Sequence, residues 1–160
     1  MDTEALRVLG SMLMGIAGVM AILLIIDIVA SWVILTKAGE PGWKALIPIY
    51  NSYTLYKVAW DTKYFWVTFV LSGATSAVSG ALSGGSENGV LMALSIILGI
   101  FAAVLSVMYA INLSRRFGHD AGFAIGLLLL PQVFKCIIAF GSSQYHPEAP
   151  TLGISFIDNI

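Results

Sequence analysis

AGFAIGLLLLPQVFKCIIAF, residues 121–140, is the stretch on which the fold turns. Its length matches the ~20 apolar residues that a helix needs to cross a bilayer. It therefore reads as a transmembrane helix, the last of four. Pro131 stands at its centre, followed by Gln132 and Lys135. Proline removes an N–H and frees the Leu127 carbonyl, so a kink is expected there, with Gln132 close enough to help fill the polar gap. A packing kink is the ordinary outcome in a membrane helix; a gate or ligand notch is the alternative.

Outward from this stretch, three more qualify as spans: 8–35, 64–85 and 90–113. The first exceeds what a bilayer requires, so its start is expected to project or tilt. Of 160 residues, 58% are hydrophobic and 11% charged, with mean hydropathy +0.89. Ordinary soluble domains carry about a quarter charged residues. The expected fold class is an all-α integral membrane protein with four transmembrane helices and a short interfacial or re-entrant helix after the first. One transmembrane domain covers 1–145, and an extramembrane tail, 146–160, is expected to be loosely ordered. A cleaved signal peptide does not fit, because the first apolar run is too long and its basic cluster follows it.

Charge excludes some functions and orients the chain. The net charge of -1, from 8 Lys+Arg and 9 Asp+Glu, gives no argument for nucleic acid. The lone Cys136 allows no internal disulfide and reads as a small apolar side chain. Lys37, Lys44, Lys57 and Lys63 follow the first span, and Arg115 and Arg116 follow the third. SGGSENG, between the second and third spans, has no cation, and neither does the chain after Phe140. Positive residues stay inside, so both basic loops are expected in the cytoplasm and both termini outside it. Arg7 dissents, and Lys135 is intramembrane.

Segment 39–60 is too aromatic for a solvated linker and too broken to cross. Gly39-Glu40-Pro41-Gly42-Trp43 has the chemistry of a type II turn, with Pro41 presetting φ and Gly42 supplying a positive one. Pro48 suits the first turn of a helix running to Trp60. Tyr50, Tyr53 and Tyr56, spaced by three, are expected with Trp43 to anchor that helix in the headgroup zone. The alternative is a re-entrant hairpin that turns Asn51, Ser52 and Thr54 to a polar path.

KAGEPGWKALIPIYN, the FG of SRRFG and the closing LLLLPQVFKCIIAFGSSQY together resemble a family of small, uncharacterised bacterial membrane proteins, over roughly Lys37 to Tyr145. The resemblance implies a polytopic protein of the bacterial inner membrane and brings no catalytic site. A signal peptidase label sometimes attached to that family demands a serine nucleophile and a lysine base. Gly10-Ser11-Met12 echoes only the nucleophile motif, on an apolar helix with no lysine motif after it.

The remaining candidates are polar groups placed where they are costly. Asp27 in the first span costs about 2.5–3.5 kcal/mol on insertion scales, so it should face protein, water or a counter-charge. It is either a structural clamp or a proton or cation site. Lys135 is the natural partner, but Asp27 lies roughly 12 Å and Lys135 roughly 21 Å above the cytoplasmic ends of their helices, at 1.5 Å per residue. Lys135 could equally snorkel outward. Asn112 reads as interhelical glue. Gly73, Ala77, Gly80 and Gly84 form a smooth stripe, and Gly122 with Gly126 a second notch, for helix packing within the bundle or between protomers. A pore lined by the neighbouring serines is the alternative. His119 and His146 have no metal-binding spacing; Asp120 reads as a helix-start residue.

The expected function is therefore a non-enzymatic polytopic membrane protein acting through helix packing, as an accessory or assembly component of a membrane complex or as a homo-oligomer. The alternative is a small oligomeric channel or transporter using Asp27. No cofactor is implied. Expected partners are the lipid bilayer and either further copies or other membrane subunits.

Overall fold

The computed structural model describes residues 3–84 and 88–158. Among them helices are the regular elements, and there are no strands. α1 (Thr3–Lys37) leads through a 3₁₀ turn (Gly42–Leu46) to α2 (Pro48–Ala59). Then come α3 (Thr62–Ser83), α4 (Gly89–Arg116), α5 (Ala121–Leu129), α6 (Pro131–Phe140) and a short α7 (Ser155–Asp158). α1, α3 and α4 are long and apolar enough to cross a membrane. Gly85, at the end of the expected second span, and part of SGGSENG lie outside the described residues.

Stretch 121–140 is not one continuous helix. Leu130 leaves helical geometry (φ -135, ψ 63), and Pro131 starts α6 as its first residue. The ring of Phe134 reaches back to Phe123, with centroids 4.9 Å apart, and covers Gly126 so closely that a Cβ there would enter the ring. In a continuous helix, residues 123 and 134 would stand about 16 Å apart. The two feet also meet: His119 Nε2 lies 2.7 Å from Ser143 Oγ. α5 and α6 thus form a helical hairpin. Proline's usual kink becomes a reversal because Gly126 leaves room for the second arm.

The hairpin moves the tail. Both feet lie at the end of the bundle where α1 and α4 finish, so the chain after Phe140 lies there too. The Lys37 ammonium donates to the carbonyls of Ile138 and Gly141 (2.8 Å each) and Ser143 (3.2 Å), closing the C-terminus of α6. Tyr145 donates to the Val58 carbonyl, and the His146 N–H to that of Arg116. The tail was expected at the opposite end from the basic loops, loosely ordered; it packs beneath them.

The same end is closed by two matching caps. Glu40 N–H donates to the Leu35 carbonyl and Gly39 N–H to that of Thr36; His119 and Gly118 repeat the pattern with Ser114 and Arg115. Gly39 (φ 79) and Gly118 (φ 76) take the left-handed conformation that such a cap requires. The expected turn is corrected accordingly: Gly39 carries the positive φ, while Gly42 begins the 3₁₀ turn. Gly42 matters by contact, because the Trp32 indole occupies the place of a side chain. Asp61, Asn88 and Asp120 cap α3, α4 and α5, as expected for Asp120.

α2 starts at Pro48, as its sequence suggests, and buries Asn51, Thr54, Leu55, Val58 and Ala59. Of the tyrosines, only Tyr50 is exposed, and Trp43 stacks on it at 5.9 Å. Tyr53 and Tyr56 turn inward to Phe65, and Tyr56 also to Tyr109. Of the four expected anchors, Trp43 and Tyr50 are therefore exposed, while Tyr53 and Tyr56 pack against other rings. Gly73, Ala77, Gly80 and Gly84 are all exposed, so this stripe does not join the helices of the chain to one another. α3 meets α4 through Leu71, Leu98 and their neighbours instead. Gly122 faces only the Asp120 carboxylate, which leaves Gly126 as the one packing glycine of that pair.

Candidate functional site

The polar residues of the membrane segments come together where α6 lies against α1. The Lys135 ammonium donates to Asp27 Oδ1 at 2.8 Å. Their side chains are 19% and 27% exposed. The direct pair is the outcome that helix depth argued against, and the hairpin is the reason. Lys135 lies five positions before the foot at Phe140, roughly 8 Å along the helix, instead of roughly 21 Å from Ala121. Its stem spans the remaining distance to Asp27. Carboxylate and ammonium cancel each other's charge where neither alone is tolerated.

Two spaces flank the pair. A chamber of about 170 Å³ is lined by Lys135 and Pro131 together with Tyr56, Ser106 and Tyr109. On the other side an open groove runs along Met20, Leu24 and Asp27 to Gln132. The Gln132 side-chain oxygen is buried there without a hydrogen-bond partner. Lys135 thus bonds Asp27, and Gln132 lines the same groove as Asp27. Asn112 is separate. It is fully buried, and its amide exchanges two hydrogen bonds with the backbone of Leu152, so it holds the tail instead of a neighbouring span.

A second ionic group governs the 3₁₀ turn. Glu40 accepts from Lys44 at 2.6 Å and from Lys57 at 2.7 Å. Hydrogen bonds from Lys44 and then Lys57 hold its carboxyl below the usual carboxylate range. The same bond raises the Lys57 ammonium. This centre escaped the sequence reading, although Glu40 and Lys44 stand at the i,i+4 spacing of a helical ion pair. The repeated pattern of a cation two residues before Gly39 and Gly118 was a legible cap signal as well.

Chemically, the arrangement offers an internal ion pair, hydroxyls lining a small chamber and many backbone clamps. Ser11 is exposed and donates to its own Val8 carbonyl. Among the described residues no group of three His, Cys, Asp or Glu gathers as a metal site.

A family described as "Family of unknown function (DUF5684)" matches residues 43–148. No curated protein and no solved structure matches the chain.

Proposed function

The chain belongs to this family of unknown function, and from that premise we propose that it is a non-enzymatic polytopic membrane protein acting through helix packing. Its role is that of an accessory or assembly component, or of a homo-oligomer. The observation that carries this reading is the outward face of α3, where Gly73, Ala77, Gly80 and Gly84 are exposed. Lipid accepts any apolar face, whereas a smooth small-residue face lets another helix approach closely. The position of Ser11, bonded to its own helix, speaks against a peptidase.

The topology that goes with this reading is three crossings, α1, α3 and α4, with α5–α6 re-entering from the basic end. By the positive-inside rule that end is cytoplasmic, which places the N-terminus outside and the tail inside. The bacterial inner membrane is the location that the family resemblance suggests. The test is purification from native membranes into nanodiscs, comparing wild type with Ala77→Leu. Loss of a co-purifying subunit or of self-association in the variant supports the reading. An identical monomer in both sinks it.

The ion pair beside its chamber favours a second reading, a small conduit. Ion and proton flux through liposomes that vanishes in Asp27→Asn would make Asp27 part of a path. Absence of flux from both folded proteins removes this second reading.

A further inference from the structure

Residues 152–158 lie in a groove that recognises backbone. Asn112 Nδ2 donates to the Leu152 carbonyl (3.0 Å), and its Oδ1 accepts from the Leu152 N–H (2.7 Å). The Tyr64 hydroxyl accepts from the Ile154 N–H and donates to the Asp158 carboxylate, both at 2.7 Å. Lys63 donates to the Asp158 carbonyl at 3.0 Å. Four of these five contacts are to main-chain atoms, which give affinity, while the Asp158 carboxylate is the side chain that the groove reads.

Groove and occupant are unequal. Asn112 and Tyr64 are completely buried, while Thr151, Gly153 and Asp158 are exposed and Leu152 and Ile154 only half-buried. Ile157 is the buried apolar anchor. Without an occupant, the Asn112 amide and the Tyr64 hydroxyl would lose these partners. Tyr64 and Asn112 lie within the family-matched residues 43–148; the segment that fills the groove lies beyond them. The receptor is thus part of the shared body, and the occupant is not.

We propose that this groove is a docking site for a segment of a partner protein that enters without helical structure and ends in one helical turn carrying an apolar residue followed by a carboxylate, as Leu152–Asp158 does, and that Leu152–Asp158 is its displaceable intramolecular occupant. The carboxylate answers Lys63, which lies 3.9 Å from Asp158. The inference rests on the accessory-component reading and names the chemistry of the partner. Tethering holds the tail at high effective concentration, and Pro147 favours the turn in which the Ala149 N–H meets the His146 carbonyl. A partner must therefore compete with the tail.

The test uses the full chain in nanodiscs and a fluorescent peptide of residues 149–160. Leu152→Pro removes the N–H given to Asn112, and Asp158→Asn weakens the exposed end of the tail without altering the groove. Peptide affinity is expected to rise about tenfold or more over wild type in either variant. Tyr64→Phe added to Asp158→Asn should lower it several-fold. If Leu152→Pro fails to fold, Asp158→Asn decides alone. A folded Asp158→Asn chain with no saturable peptide binding, or binding indifferent to Tyr64→Phe, overturns the proposal and makes the tail a permanent staple. That failure is distinct from failure of the helix-packing reading, which is decided by Ala77→Leu and does not involve the peptide.

Discussion

At the basic end, Lys37 closes α6, Gly39 and Gly118 close α1 and α4, and Glu40 joins two lysines. Some twenty residues away along α1, Met12, Leu13, Ile16, Val19 and Met20 are each more than half exposed. The difference follows from the solvent. In hydrocarbon there is no hydrophobic drive to bring helices together, so an apolar helix may stand alone. Near water, backbone ends and charges must find partners, and the tertiary contacts collect there. The ion pair of Asp27 and Lys135 marks the boundary between the two regimes.

The largest expected effect comes at that boundary. Lys135→Met leaves a carboxylate without its counter-charge and should destabilise the folded protein by about 3 kcal/mol, the low end for broken buried pairs because this one is partly accessible. Asp27→Asn combined with Lys135→Met should recover most of the loss, since no charge then remains uncompensated. Leu13→Ala, in the bare half of α1, should change unfolding in detergent by no more than about 0.5 kcal/mol. An equal cost for Leu13→Ala and Lys135→Met would erase the contrast between the two regions.

Next come the close approaches. Gly126→Val would collide with Phe134, and Gly42→Val with Trp32. Each should cost about 1–3 kcal/mol by overpacking. The two differ in a useful way. Gly126→Val should also separate His119 from Ser143, measurable as faster hydrogen exchange at the hairpin feet, whereas Gly42→Val should leave that pair intact. Unchanged exchange in Gly126→Val would count against the hairpin.

These sites also mark what the sequence could disclose. The three long helices, Pro48 at the start of α2 and Asp120 as a cap follow from residue type and spacing, and Asp27, Lys135 and Gln132 stand out one by one as costly polar groups, although depth argued against a direct pair. Each depends on local chemistry or on the cost of charge in lipid. The reversal at Leu130 does not follow, because twenty apolar residues with a central proline satisfy the requirements of a kinked span equally well. What decides it is remote: room beside Gly126 for Phe134, and three carbonyls gathered by Lys37 from more than a hundred residues away. The place of the tail and the task of Asn112 were hidden for the same reason, since both depend on where the hairpin lets the chain out. The small-residue stripe was legible as a smooth surface, but sequence alone does not say that it stays exposed among the described residues.

A smaller effect tests the caps. Gly39→Ala and Gly118→Ala force a side chain into left-handed backbone, costing about 1–2 kcal/mol each. At Gly39 a Cβ meets nothing, whereas at Gly118 it touches the His146 ring. At 3.4 Å that contact is ordinary packing and adds no clash, so the two variants should cost about the same in thermal unfolding; a clearly costlier Gly118→Ala would mean that the His146 ring is held rigidly against that cap.

The smallest expected effect is at Glu40. Because its folded carboxyl titrates below the usual range, its contribution is complete above the ordinary carboxylate value of about 4.3 and is lost as pH falls through the lower folded value. Lys57 is half exposed, so solvent screens its share, and the whole contribution should be about 0.5 kcal/mol. Comparing wild type with Glu40→Gln between pH 7 and pH 3 isolates it: the wild type should lose its advantage only on the acid side, and high salt should shrink that advantage at neutral pH. An advantage that persists unchanged to pH 3 would mean that Glu40 acts through uncharged hydrogen bonds, and that the basic end is held by its backbone caps and not by its charges.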